Sequence, residues 1–366
     1  MFLEQALKQT VDLSQPVKVL DLCAAPGGKS TLIQSFITSD SLLVSNEVIK
    51  SRVNVLQENL IKWGGANVVL TNNDAKDFAS LYDYFDLLVV DAPCSGSGLF
   101  RKDPEAISEW SENNVKLCSQ RQQRILADAF SSLKKDGIII YCTCSYSTEE
   151  NEEILDWMAE KFKVESLQLT IKKEWNIVET QSMDHNLFGY RFYPDKLKGE
   201  GFFIACLQKK EGEENFNNYK RVKTISLSKN ELSIVKEWVK PDAGISFMKH
   251  GEEVIALPSS TAKELPFIQN NLYIRQVGIK IGKLTTKELI PDHALALSGL
   301  ANEKIASVSL NKETALQYLR KADVLTAGGQ KGWVLVKYDG CNLGWIKDLG
   351  NRINNYYPKD WRILMR

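Results

Sequence analysis

The chain has 366 residues, 43% hydrophobic and 25% charged, with 46 Lys and Arg against 46 Asp and Glu; this excludes a disordered or fibrous polypeptide and leaves room for two or three cores. No run approaches the ~20 apolar residues of a membrane span, and Met1–Pro16 has neither the basic start nor the long apolar core of a signal peptide, so a cytosolic protein with no membrane partner is expected. The seven cysteines form no CxxC pair and His185, His250 and His293 are scattered, so reduced thiols and no metal are expected.

In chain order, Val17–Thr31 (VKVLDLCAAPGGKST) reads as strand, tight loop and helix. Gly27 and Gly28 allow a sharp turn and close approach to a ligand, and the free N–H groups opening a helix over Ser30–Ile37 attract an anion. A Walker A loop is disfavoured because Cys23 stands where that motif needs glycine, and the GxGxxG dinucleotide fingerprint is absent.

Strands are predicted at Leu42–Asn46, Val68–Thr71, Asp86–Asp91 and Ile138–Cys144. Between them, Val48–Lys62 reads as a helix with Ile49, Val53, Leu56 and Leu60 on its apolar face. Val115–Leu133 reads as another, facing inward through Leu117, Cys118, Ile125, Leu126, Ala129, Phe130 and Leu133 and stopped by Gly137. Such alternation predicts a parallel, doubly wound, Rossmann-like sheet, whose ligands bind beyond the carboxyl ends of the strands. Those ends carry Cys23 with its loop, Glu47, Asp74, Asp91 with Cys94, and Cys144. Glu47, 19 residues past Gly28, stands where a carboxylate takes ribose hydroxyls, and Asp74 could accept a hydrogen bond from an adenine amino group. Any one of these acids alone reads better as a solvated loop residue or a helix cap; their convergence on one sheet edge points to S-adenosylmethionine. With cysteines at two strand ends, the chemistry indicated is methyl transfer to carbon 5 of a pyrimidine. A thiolate adding to carbon 6 makes that carbon nucleophilic. Cys142, two residues before Cys144, reads as a small apolar core residue.

The motifs CAAPGGKST (23–31), SNE (45–47), NDA (73–75), DAPCSGSG (91–98) and TCSYSTEENE (143–152) closely resemble the Nop/Sun family of RNA (cytosine-5) methyltransferases, and GEGFFIA (199–205) resembles its closing strand. The resemblance implies that Cys23, Ala24, Ala25, Pro26, Gly27, Gly28, Lys29, Glu47, Asp74 and Asp91 bind the cofactor. It further implies that Cys144 is the nucleophile, that Cys94 helps release the product, and that Lys29 and Asp91 also face the cytosine. Spacing alone leaves the order of the two cysteines open, since DNA enzymes with a similar PC motif attack with that cysteine.

The polar stretch 211–223 reads as a linker after a methyltransferase domain spanning 1–210, and 224–270 as a small intermediate region with a helix at Glu231–Val239 and a hairpin over Ile245–Leu257. From 271 to 366, short strands between glycine turns hold 15 Lys and Arg against 8 Asp and Glu, an excess that suggests a polyanionic partner. Trp333, Trp345, Tyr356, Tyr357 and Trp361 could serve RNA or simply pack a small β core. This segment resembles the PUA-like RNA-binding tail of a bacterial 16S rRNA methyltransferase, which makes 16S rRNA or the 30S subunit the expected partner of a monomer. Family members usually carry a ferredoxin-like RNA-binding segment before the first helix, whereas FLEQALKQ here resembles only its end. The alternative reading is therefore a truncated, catalytically impaired paralogue that binds RNA.

Overall fold

Val19, Leu20 and Asp21 are fully buried in a central strand, β1 (Lys18–Asp21). The chain then breaks at a cis Ala25–Pro26 peptide and at Gly27, whose φ of 116° lies in the left-handed region that favours glycine, before helix α2 (Gly28–Gln34) begins. The computed structural model describes residues 2–212, 227–241, 244–285, 288–322 and 331–364. The linker expected at 211–223 lies outside these from residue 213 onward.

Helix α1 (Leu3–Thr10) precedes β1; after α2 come β2 (Leu42–Asn46), α3 (Lys50–Trp63), β3 (Val68–Thr71), β4 (Phe85–Asp91), α4 (Glu105–Glu109), α5 (Glu112–Phe130), β5 (Leu133–Thr143) and α6 (Glu152–Lys161). The short β6 (Val164–Ser166) is followed by β7 (Val178–Gln181), β8 (Phe188–Phe192) and β9 (Phe202–Lys209). Further along the chain are α7 (Lys229–Trp238), β10 (Ile245–His250), β11 (Glu253–Pro258), α8 (Ser259–Asn271) and β12 (Ile274–Val277).

The large sheet has the order β12-β3-β2-β1-β4-β5-β9-β8-β7, with β6 also on β9. Its β1 to β5 are parallel and β9 is antiparallel to β5, so the expected Rossmann-like sheet is present and is closed by antiparallel strands. The order reverses between β1 and β4, which opens a crevice beyond their carboxyl ends.

Two helices begin later or turn differently from expectation. Helix α3 starts at Lys50, leaving Ile49 on the preceding bend and 48% exposed, while Val53, Leu56 and Leu60 are buried. Leu117 is 60% exposed because the inward face of α5 runs through Cys118, Gln122, Ile125, Leu126 and Ala129, with a buried glutamine at a position the apolar pattern did not mark. Leu133 and Gly137 lie within β5, beside an irregularity in its register with β4, so Gly137 is not the helix stop.

The chain divides into two compact units that are not contiguous in sequence. The first comprises Met1–Gln57, Val68–Arg221 and Lys263–Gln276; the second comprises Glu58–Asn67, Val222–Ala262 and Val277–Arg366. This differs from the consecutive division expected from sequence, and the reason is local bonding. Tyr273 exchanges backbone and side-chain hydrogen bonds with Asn72 and Asn73, and Tyr84 packs on Phe267 and donates to Glu264 at 2.7 Å, which ties residues 263–276 to the first unit. Ile61 and Ala66 instead pack on the apolar cluster of the second unit.

The second unit contains a four-stranded sheet, β10-β11-β13-β14, completed by β13 (Ile279–Leu284) and β14 (Leu289–Pro291). A second sheet is built from β15 (Ser307–Ser309), β16 (Gly332–Tyr338), β17 (Cys341–Asp348) and β18 (Ile353–Asn355), with α9 (His293–Leu297) and α10 (Lys312–Leu319) beside them. The hairpin expected over Ile245–Leu257 is formed by β10 and β11. Trp333, Trp345 and Tyr357 are buried core residues, as their packed alternative supposed, while Tyr356 is exposed. Among the described residues, no helix is long and apolar enough to cross a membrane.

His293 in this unit gives it a pH dependence. Both ring nitrogens are buried without a hydrogen-bond partner, and the ring sits edge-on to Tyr357 and Trp361 at 5.3 Å. Burial, with smaller contributions from Lys321 and Lys62, pushes its pKa down to about 4. Above pH ~6.5 neither folded nor unfolded chain protonates it; between ~6.5 and 4 only the unfolded chain does, so stability falls as pH falls, by roughly 3 kcal/mol at most. Denaturation midpoints at pH 7 and 4.5 for wild type and H293F should show this loss shrinking in the variant. An identical pH slope would remove His293 as its source.

Candidate active site

The loop after β1 is held from below. Ser30 donates to Asp21 at 2.6 Å, Ser45 donates to Ser30 at 3.0 Å, and Asn46 ties the β1, β2 and β3 ends together by donating to the carbonyls of Leu22 and Asn73 at 3.1 and 3.0 Å. Arg52 donates to the Ala25 carbonyl at 2.7 Å and approaches Glu47 at 3.4 Å, joining the loop to the end of β2. Glu47 is 2% exposed; one carboxylate oxygen accepts the Ile49 N–H at 2.9 Å, and the other, buried, is the one that faces Arg52. Burial, eased by Ser30 and Lys29, pushes Asp21 up to about 7, and its second oxygen is unpartnered. A Cβ on Gly28 would meet nothing within 4 Å. A cradle with room above Gly28, edged by the buried carboxylates of Glu47 and Asp21, fits the hydroxyls and ammonium of S-adenosylmethionine.

Of the residues predicted for the cofactor, Cys23, Lys29, Glu47 and Asp91 share one electrostatic neighbourhood with Asp21. Asp74, at the end of β3, caps the 3-10 turn Ala75–Ser80 and pairs with Arg124 at 3.1 Å. Burial first, then Asp21 and Glu47, push the Cys23 thiol up, which suits a wall rather than a nucleophile.

Lys29 and Asp91 pair at 2.7 Å, and this pair connects the cofactor loop to the two thiols. Burial opposes the Lys29 charge, but Asp91, Cys142 and Asp21 together outweigh it and the ammonium titrates above its ordinary value. The Cys94 and Cys144 sulfurs lie 2.9 Å apart, and the Cys144 backbone N–H also points at the Cys94 sulfur at 3.3 Å. Their mutual hydrogen bond splits the pair: it holds Cys144 below the ordinary thiol range despite burial, and, together with burial, holds Cys94 well above it. Cys142 is fully buried and its thiol is pushed up by burial, in keeping with a packing role.

Sequence patterns missed the residues that hold this constellation. Asn151 accepts from Thr143 at 2.6 Å and donates to the Ser145 carbonyl at 2.9 Å; Arg191 bonds Glu152 and donates to the Tyr146 carbonyl at 2.8 Å. For Asn151 and Glu152 the signal was the run of four acids and one amide at 149–153, just after TCS; Arg191 left none. Gly98 is closer still: its N–H donates to the Cys144 carbonyl at 2.7 Å, and a Cβ there would lie 2.4 Å from that carbonyl and 2.7 Å from the Gly201 carbonyl. Since backbone must move to admit a methyl group, Gly98→Ala should cost about 1–3 kcal/mol in stability and displace Cys144. Thermal unfolding and thiol alkylation rates would check this; a variant unchanged in both would show that the contact yields freely.

The sheet order, glycine loop and buried strand-end acid define the first unit as a Rossmann-like, S-adenosylmethionine-dependent methyltransferase domain. The sequence profile described as "16S rRNA methyltransferase RsmB/F" matches residues 8–208, and the chain belongs to that family. A second profile, "Methyltransferase RsmF PUA domain", matches residues 306–363. The chain is similar to the "Ribosomal RNA small subunit methyltransferase F" of Shewanella woodyi, 32% identical over 97% of this chain and 75% of that one. The protein of the same name from Shewanella loihica is 28% identical over 96% and 74%. The chain thus spans about three quarters of these relatives' length. A solved structure titled "Crystal Structure of PH0851" superposes with a TM-score of 0.50 at 26% identity, covering 57% of this chain and 45% of that one.

Proposed function

We propose that the protein methylates carbon 5 of a cytosine in 16S ribosomal RNA, free or within the 30S subunit, in the cytoplasm and as a monomer. The observation that carries this is the pair of thiols 2.9 Å apart beside the Lys29–Asp91 pair. A single strand-end thiol would fit many roles. Two in this relation suit a reaction that must add sulfur to a ring and later expel it.

S-adenosylmethionine, when bound over Gly27 and Gly28 with Glu47 at its ribose, supplies an electrophilic methyl group. The Cys144 thiolate adds to carbon 6 of the cytosine, forming a carbon–sulfur bond and moving the ring's electron pair to carbon 5. Lys29 would donate to the acceptor edge of the base, and Asp91 would accept from its exocyclic amino group. After methylation, a water molecule takes the carbon 5 proton, and the C–H electron pair restores the 5,6 double bond as the carbon–sulfur pair returns to Cys144. The Cys94 S–H stabilises that departing thiolate by hydrogen bonding. The PUA-like region would hold RNA through exposed cations such as Lys304, Lys312, Arg320, Arg352 and Lys359.

RNA carrying 5-fluorocytosine tests the reading, because fluorine cannot leave carbon 5 as a proton does. With S-adenosylmethionine present, the wild-type protein should form a denaturation-resistant complex with this RNA. Methylation without any such complex would sink the covalent route. The truncated-paralogue reading, binding without turnover, has less support, since both thiols and the cofactor cradle are assembled.

A further inference from the structure

We infer that Glu150 is a positioning residue that fixes the separation of the two reactive sulfurs by holding both of their loops on one buried carboxyl group. The inference rests on the proposed thiol chemistry, but its geometry stands apart from it. Glu150 is fully buried, just ahead of α6, and touches neither sulfur through a hydrogen bond. One of its oxygens accepts the Ser95 backbone N–H at 2.8 Å and Gln122 Nε2 at 3.2 Å. The other accepts the hydroxyls of Ser95 and Ser145, both at 2.5 Å. Ser95 follows Cys94 and Ser145 follows Cys144, so each reactive cysteine is one peptide away from a residue anchored to the same carboxyl group. Gln122 also donates to the Pro93 carbonyl at 3.1 Å, which explains a buried glutamine on the inward face of α5.

A carboxyl group is an unusual choice for a site without a cation bonded to it. Four donors converging from two loops and a helix satisfy its acceptor capacity, and no apolar residue could make the same junction. Removing it leaves four buried donors without an acceptor, and the loops then have no common anchor. Glutamine, in contrast, can keep the junction. Its carbonyl oxygen can accept the two N–H donors, while its amide N–H groups donate to the two serine hydroxyls, which rotate to accept.

The test uses phenylarsine oxide, a trivalent arsenical that captures two thiols only when they are adjacent. Wild type should be captured tightly and C94A should not. E150A should lose capture by about tenfold or more, as expected from breaking several buried hydrogen bonds. Its kcat should fall at least as far, while KM for RNA and S-adenosylmethionine affinity stay within about threefold. E150Q should be captured within about threefold of wild type. If E150A does not fold, as judged by thermal unfolding and cofactor binding, the S95A/S145A double variant asks the same question by removing the hydroxyl donors. Wild-type capture by E150A or by the double variant overturns the inference, as does an E150Q as defective as E150A. Because capture reports sulfur spacing without any methyl transfer, a wild type that is captured but leaves cytosine unmodified would refute the proposed function and leave the positioning role intact.

Discussion

Replacing Cys144 with alanine is expected to lower turnover by roughly three orders of magnitude or more and to abolish the covalent RNA adduct, because no step follows unless sulfur first adds to the ring. Cys94→Ala should give the opposite picture. Methylation proceeds once, elimination stalls without the S–H that stabilises the departing sulfur, and a denaturation-resistant protein–RNA adduct accumulates. In the proposed reaction Cys144 is the attacking partner, and the 2.9 Å contact keeps Cys94 within reach of it. Denaturing gels and single-turnover kinetics on the two variants would decide it. An adduct that survives in C144A and vanishes in C94A would reverse the roles, as in the DNA enzymes that attack from the PC motif.

The second large effect is expected at Glu47. Its carboxylate is buried at the rim of the cofactor cradle, with one oxygen held only by a 3.4 Å ion pair to Arg52, and charge-assisted hydrogen bonds to such a group are worth roughly 1.5–3 kcal/mol each. Glu47→Ala should therefore weaken S-adenosylmethionine binding by about tenfold to a hundredfold, with RNA binding unchanged. Glu47→Gln, which can still accept the Ile49 N–H, separates the ligand's loss from local unravelling. Calorimetry belongs on the full chain, since a fragment ending before residue 263 would lack the segment that bonds Asn72 and Asn73. Unchanged affinity in the alanine variant would return the ribose hydroxyls to another partner.

The parallel sheet and its catalytic edge were legible in the sequence because each depends on local pattern. Apolar runs give β1 to β5, and strand-end residues must then converge at the switch point whatever lies between them. Helix faces were legible to within one residue's rotation. Leu117 and Ile49 were misplaced because apolar periodicity cannot see that Gln122 is buried for a hydrogen bond, or that Glu47 bends the chain before α3 can start. The domain division was not legible, since residues 263–276 join the first unit through hydrogen bonds between positions about 200 apart. Asp74 was legible as a strand-end acid, whereas its cap on the 3-10 turn and its pair with Arg124 were not. The thiols were visible as motifs, whereas the 2.9 Å contact between them was not, because it depends on Gly98 and the buried polar residues that bring two loops together.

The central claim is most directly tested by the product. The protein is incubated with methyl-labelled S-adenosylmethionine and either naked ribosomal RNA or 30S subunits, and the RNA is then digested to nucleosides and mapped. The account predicts label in 5-methylcytidine, confined to 16S rRNA and absent with C144A. Label in any other nucleoside, or 5-methylcytidine that persists in C144A, would contradict it.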